Sequence, residues 1–189
     1  MLRQIDKSNN NSIGYFNQNI FKYFGNGWTV PEKGFDVVNN ELKIFAEVKT
    51  KHNTMNSSSS QKTYIQLLSK INEDPDNKCY LVQVISKKSQ NVPWSITVNN
   101  SKVSNEKIRL ISIDKFYSLV TGDSNSFAKL CEILPQVIDD VVSNTLEVSN
   151  DDLARILRPY TDMENPLLSI YIKAFKTFEG FNNFEFSKD

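Results

Sequence analysis

Gly34-Phe35-Asp36-Val37-Val38-Asn39-Asn40-Glu41-Leu42-Lys43-Ile44-Phe45-Ala46-Glu47-Val48-Lys49 is the stretch from which the fold is read. Two apolar runs, Phe35 to Val38 and Leu42 to Thr50, flank the polar Asn39-Asn40 pair, which predicts a β-hairpin. Asp36, Glu47 and Lys49 lie within these apolar runs, where an ionised group is costly unless it is paired or bound to a metal. Glu47 and Lys49 are two residues apart and share one face of a strand. A two-residue turn at Asn39-Asn40 sets Asp36 opposite Lys43, and one at Asn40-Glu41 sets it opposite Phe45. Either register puts Asp36 on the face that carries Glu47 and Lys49, whereas a three-residue turn would reverse it. In the second register Asp36 and Glu47 are diagonal neighbours, roughly 7–8 Å apart at Cα. That is a gap two carboxylates can close around a divalent cation. The alternative is a strand edge that turns Glu47 and Lys49 to solvent between buried Ala46 and Val48.

An acid-x-Lys triplet alone says little, because Glu41-Leu42-Lys43 and Asp76-Asn77-Lys78 have the same form. Those two fall in turn-like contexts where a solvated charge costs nothing. The hairpin singles out Glu47-x-Lys49.

Downstream, Thr50 to Lys62 is dense in hydroxyls, amides and cations and contains no acid. Such groups make phosphate contacts, and Asn and Gln also read base edges. Lys51, His52, Asn53, Asn56, Ser57, Ser58, Gln61 and Lys62 are therefore candidate DNA contacts. A flexible Ser-rich linker is the competing reading. A strand leads directly into the segment and an amphipathic helix directly out of it, which favours the binding reading. His52, the one histidine, suits a phosphate contact or a general base.

Further out, Ser12 is a candidate N-cap for a helix with Ile13, Phe16, Ile20 and Phe24 on its apolar face, ended by Gly25-Asn26-Gly27. A second helix is expected with Tyr64, Ile65, Leu68 and Ile71 on one face, stopped by Asp74-Pro75-Asp76-Asn77. Cys79 to Ile85 has the continuous apolar character of a strand covered on both faces. Trp94 to Val98 and Ile108 to Ile113 are further strands. Phe116 to Val120, Phe127 to Leu134, Val137 to Val142, Leu153 to Leu157 and Leu167 to Phe178 read as helices. The order predicts an α/β fold, a mixed β-sheet flanked by helices with a helical C-terminal part. One domain is expected over 1–189, with its core at about 12–120 and the helical part at about 121–189.

Composition limits the function classes. The chain has 189 residues, 22 basic and 22 acidic side chains and 39% hydrophobic residues, so whole-chain charge does not announce nucleic acid and any DNA-binding charge must be local. No apolar run is long enough to cross a bilayer and no signal-peptide stretch opens the sequence, so no membrane association and a cytoplasmic location are expected. Two cysteines, Cys79 and Cys131, cannot make a disulfide framework or a four-ligand zinc site, and are expected to be buried apolar residues. Trp28 and Trp94 are expected in the core or at sheet edges. Arg155 and Arg158 are minor candidates for guanine contacts. The phenylalanines from Phe175 to Phe186 are expected to pack on the core or form a dimer surface.

The Asp-x10-Glu-x-Lys pattern in a hairpin resembles the PD-(D/E)xK nuclease superfamily, with Phe35 in place of the proline before Asp36. More narrowly, three pieces resemble type II restriction endonucleases that cut GGNCC or GGWCC sites. They are Ile13-Gly14-Tyr15-Phe16-Asn17-Gln18; Glu47-Val48-Lys49 with His52-Asn53-Thr54-Met55-Asn56-Ser57-Ser58-Ser59; and Ile113-Asp114-Lys115-Phe116-Tyr117 with Val120-Thr121-Gly122. The resemblance spans about residues 8–145. It implies a restriction-endonuclease-like core, with Asp36, Glu47 and the Val48 carbonyl as ligands for one or two Mg²⁺ ions, Lys49 as the catalytic lysine and Gln18 near the site. It also implies double-stranded DNA as substrate, 5′-phosphate products, a homodimer matched to a palindrome, and a cognate cytosine methyltransferase as genetic partner. A structure-specific repair or recombination nuclease on the same core and a non-catalytic DNA-binding module are the alternatives.

Overall fold

The computed structural model describes residues 16–52, 55–144 and 174–181. Residues 16–19 are α-helical (α1) and tighten into a 3₁₀ turn, Ile20–Tyr23. The strands are β1 (Trp28–Thr29), β2 (Val37–Asn39), β3 (Ile44–Lys51), β4 (Lys78–Ile85), β5 (Asn91–Val98) and β6 (Ser101–Ser112). The helices α2 (Ser57–Glu73), α3 (Ile113–Thr121) and α4 (Ser126–Asn144) complete the fold. The six strands form one sheet in the order β1-β2-β3-β4-β6-β5. Its centre, β3-β4-β6, is parallel, and its flanks are antiparallel hairpins. This is the mixed α/β sheet flanked by helices that the sequence predicts, consistent with a restriction-endonuclease-like core.

Alternation along the central strands sorts residues between two cores. Val37, Ala46, Val48, Val82 and Ile111 face the helices α3 and α4 together with Phe21 and Phe127. Val38, Phe45, Cys79, Leu81 and Ile108 face α2 through Tyr64, Leu67 and Ile71. Each fully buried Leu or Phe among them contributes about 1.5–3 kcal/mol. Both cysteines are buried, and desolvation pushes each thiol up to about 12. Trp28 and Trp94 are buried on the two edge strands. Phe175, Phe178 and Phe181 pack on Phe127, so these three belong to the core. Among the described residues no helix is long and apolar enough to cross a membrane.

Several expectations are corrected. The β2–β3 connection is a four-residue loop, Asn40 to Lys43, not a two-residue turn. Asn39 closes it: this buried side chain accepts from the Leu42 N–H (2.9 Å) and donates to the Asn26 carbonyl (2.8 Å). Lys43 takes φ 54° to complete the turn. In the N-terminal segment Phe21 is the fully buried residue while Phe16 is exposed, because the 3₁₀ turn shifts the inward face. On α2 the buried stripe runs through Thr63, Tyr64, Leu67 and Ile71, and Ile65 faces solvent. Residues 127–134 and 137–142 belong to one helix, α4, which carries Pro135 within it. Ile113 opens α3 and does not end a strand. The two-residue strand β1 and the first half of β6 were not predicted. Ser12, Ile13, Asn53, residues 153–157 with Arg155, Arg158, residues 167–173 and Phe184 and Phe186 lie outside the described residues.

Candidate active site

Pairing between β2 and β3 begins at Val37↔Ala46, and continuing that register sets Asp36 opposite Glu47. The four-residue loop is two residues longer than either predicted turn, so Asp36 moves from opposite Lys43 or Phe45 to opposite Glu47, an even shift that keeps parity. Asp36, Glu47 and Lys49 therefore share the α2 face of the sheet, with Phe45 and Val38. Asp36 lies just outside β2, where the main-chain ladder stops. Its Oδ2 accepts the Val48 N–H at 2.7 Å. The N–H and C=O of one strand residue point to the same side, so the Val48 carbonyl also faces the gap beyond the end of β2. Lys49 Nζ stands 2.6 Å from Glu47 Oε1, both side chains being mostly buried.

Electrostatics mark Asp36. Burial, and next the charge of Glu47, raise its carboxyl above the ordinary 3.8; the Val48 N–H, Lys49 and a hydrogen bond from the Gln18 side chain oppose this in part. A buried acid raised by a like charge gains from a cation. The available donors, two carboxylates and a main-chain carbonyl, are all hard oxygen, as Mg²⁺ and Ca²⁺ prefer. Few protein ligands suit Mg²⁺, which keeps waters or phosphate oxygens in its remaining positions. Among the described residues no group of three or more His, Cys, Asp and Glu side chains is placed to hold an ion. A metal here would thus rest on Asp36, Glu47 and the Val48 carbonyl.

The two rival triplets lie elsewhere. Lys43 pairs with Asp74 (2.8 Å) and Asp76 (3.1 Å) on the surface. These ion pairs tie Lys43 to the loop before β4, away from the Glu47 strand face.

The described residues of the polar segment are tied down by hydrogen bonds. The His52 N–H donates to the Ile85 carbonyl (3.1 Å), its Nδ1 lies 3.3 Å from the same oxygen, and its own carbonyl accepts from Gln83 Nε2 at 3.4 Å. Asn56 caps α2: its Oδ1 accepts from Ser59 N at 2.8 Å. Gln61 donates to the Thr97 carbonyl at 2.9 Å. Ser57, Ser58, Lys51 and Lys62 are exposed. A cavity of about 70 Å³ joins Lys49, Lys51 and His52 to Met55, Gln83 and Trp94. Its described residues thus include the end of β3 and the capped start of α2. Sequence reasoning did not foresee the structural duties of Asn56 and Gln61. The Asn before a serine run is a cap signal in retrospect; the Gln61 tether had none, since β5 is distant in sequence.

An α/β sheet of this topology, with two acids and a lysine on one sheet face at the end of a ladder, is consistent with a core of the restriction-endonuclease type. The chain belongs to the Eco47II restriction endonuclease family, whose family model matches residues 1–143. It is 30% identical over 148 residues to the type II restriction enzyme Sau96I of Staphylococcus aureus, covering 73% of this chain and 56% of that enzyme. It is 32% identical over 157 residues to the type II restriction enzyme Eco47II of Escherichia coli, covering 77% of this chain and 65% of that enzyme. The chain therefore aligns with less than two thirds of the length of either relative. No solved structure matches it significantly.

Proposed function

We propose that this chain is a type II restriction endonuclease that hydrolyses double-stranded DNA at a GGNCC-type palindrome with Mg²⁺, leaving 5′-phosphates. The observation that carries the proposal is the convergence of Asp36, Glu47 and Lys49 on one sheet face, with Asp36 bound to the Val48 main chain, in a member of this family.

Asp36, Glu47 and the Val48 carbonyl hold the cation. When bound, Mg²⁺ supplies a Lewis acid that neutralises phosphate charge and lowers the pKa of water. Asp36 is held in place by the Val48 N–H, so one ligand is fixed to the strand that carries the other two. Lys49 provides a fixed positive charge beside the scissile phosphate; it orients the attacking water and stabilises the charge that builds in the transition state. Gln18 steadies the Asp36 carboxylate from α1. The first turn of α2, with Ser57 and Ser58 exposed and no acid, offers hydroxyls and N–H groups to phosphate, and Lys51 and Lys62 add charge. A palindrome is matched by a two-fold homodimer with one active site per strand. A cytosine methyltransferase protecting the same site is the expected genetic partner.

Incubating plasmid DNA with the purified protein and Mg²⁺ tests this. Discrete fragments are expected, with ends mapping to one palindrome. Random nicks or cuts at branched DNA would point to a structure-specific nuclease, and intact but bound DNA to a non-catalytic binding module.

A further inference from the structure

The hairpin β5–β6 is longer than the sheet needs. β4 pairs with β6 only over Ile108 to Ser112, so among the described residues Ser101 to Ser104 run beyond that pairing with β5 as their one strand partner. Between the pairs Pro93↔Arg109 and Ser95↔Ser104, Trp94 alone faces Asn105 to Ile108 on the other strand. Such an irregularity bends a ribbon and increases its twist. The bend directs the distal half over the start of α2. Gln61 holds the Thr97 carbonyl, Trp94 stacks edge-on against Tyr64 at 5.4 Å, and Ile96 and Val98 join the core that includes Met55. Trp94 also lines the small cavity that contains Lys49. The arm is thereby fastened beside the strand end that carries the candidate catalytic residues.

Its tip is built to display amides. Asn99 and Asn100 take φ 48° and 62°, the pair of positive values a type I′ turn requires. Asn99 to Ser104 are exposed. The side chains of Asn99, Asn100 and Lys102 make no hydrogen bond or ion pair among the described residues. From Asn91 to Asn105 the sequence has no acidic residue, and Glu106 is matched by Arg109 at 3.7 Å. A two-stranded ribbon fits the major groove of B-DNA, where amides can hydrogen-bond to base edges.

We infer that the β5–β6 arm enters a DNA groove and reads bases with Asn99 and Asn100 while Lys102 holds the backbone. This rests on the proposed nuclease function and assigns it a specificity element outside the 51–62 segment.

The test first maps the parent's cleavage site. Asn99→Gly with Asn100→Gly keeps the turn, since glycine adopts positive φ freely, and removes both carboxamides. On the mapped site kcat/KM is expected to fall at least tenfold, with binding to a site-free duplex in Ca²⁺ unchanged. Lys102→Ala should weaken binding to both duplexes alike and reduce the salt slope by about one. A thiol-linked photo-cross-linker on Asn100→Cys gives a readout independent of activity. Both native cysteines are buried with thiols raised to about 12, so the introduced thiol takes the label. It should cross-link to the cognate duplex, whereas Tyr23→Cys, exposed beside α3 and α4, should not. Parental site preference in the glycine variant overturns base reading, even if the label cross-links. No cross-link from Asn100→Cys with a cleaving parent overturns contact altogether. A parent that neither binds nor cuts any duplex would overturn the underlying nuclease reading instead.

Discussion

Ser89 and Asp114 are joined hydroxyl to carboxylate, the Ser89 Oγ donating to Asp114 Oδ2 in the first turn of α3. The same Ser89 hydroxyl accepts the Glu179 N–H at 2.7 Å, and Thr177 donates to the Lys87 carbonyl at 3.1 Å. The carboxylate is almost fully buried, and its Oδ1 finds no partner among the described residues. One serine thus links the β4–β5 connection, the start of α3 and the phenylalanine-rich segment 174–181. Ser89→Ala removes the partner of a buried carboxylate, a loss of about 1–3 kcal/mol. Thermal melting should show this, and limited proteolysis should find new cuts near residues 174–181.

Asp36 gives a pH prediction whose sign follows from its raised pKa. A carboxyl that holds its proton more tightly folded than unfolded favours the fold below the unfolded value of 3.8, and that contribution is lost as pH rises through the higher folded value. Above that window, metal-free protein carries an ionised Asp36 at a cost. Asp36→Asn should therefore raise the melting temperature of metal-free protein at neutral pH. The difference from the parent should vanish as pH falls to the ordinary carboxylate range. Mg²⁺ should stabilise the parent and not the variant. Cleavage by Asp36→Asn and Glu47→Gln should be abolished with fold intact by circular dichroism.

Lys49 and Lys43 should behave oppositely. Lys49→Ala removes a preorganised charge at the transition state, worth ~3 kcal/mol or about two orders of magnitude in kcat. Lys43 makes exposed ion pairs with Asp74 and Asp76, and such pairs contribute about 0–1 kcal/mol. Single-turnover rates of Lys43→Ala should match the parent; an inactive Lys43→Ala with active Lys49→Ala would assign the site to the wrong triplet.

Asn56 needs a paired substitution, because it caps α2. Asn56→Ala should cost about 1 kcal/mol of stability through the lost cap. Asn56→Ser keeps a capping oxygen and removes the amide. If Asn56 reads a base, both variants lose cognate affinity in Ca²⁺; if it only caps, Asn56→Ser binds as the parent does.

The fold and the candidate acid–lysine set were legible because they rest on local order. Alternation across Val37 to Lys49 places Asp36, Glu47 and Lys49 on one face for any even shift in register, so misjudging the loop length did not disturb the conclusion. What escaped was long-range. The Asn99-Asn100 pair suits a type I′ turn, yet the polar stretch Ser101 to Lys107 that follows has no apolar alternation to mark it as a strand, β5 being its one strand partner among the described residues. Phe21 was missed because a 3₁₀ turn replaces the helical period. Gln61 and Ser89 hold partners 36 and 25 residues away, which no local pattern encodes.

Asp36 occupies, with a side chain, the position a neighbouring strand's carbonyl would otherwise fill opposite the Val48 amide. The Val48 amide proton is consequently a natural spectroscopic probe of the site. Its NMR shift reports whether Asp36 is ionised, and its rate of exchange with deuterated solvent reports how often the carboxylate lets go. Titrating Mg²⁺, pH or DNA against that one resonance would follow the occupancy of the site without a single bond of substrate being cut.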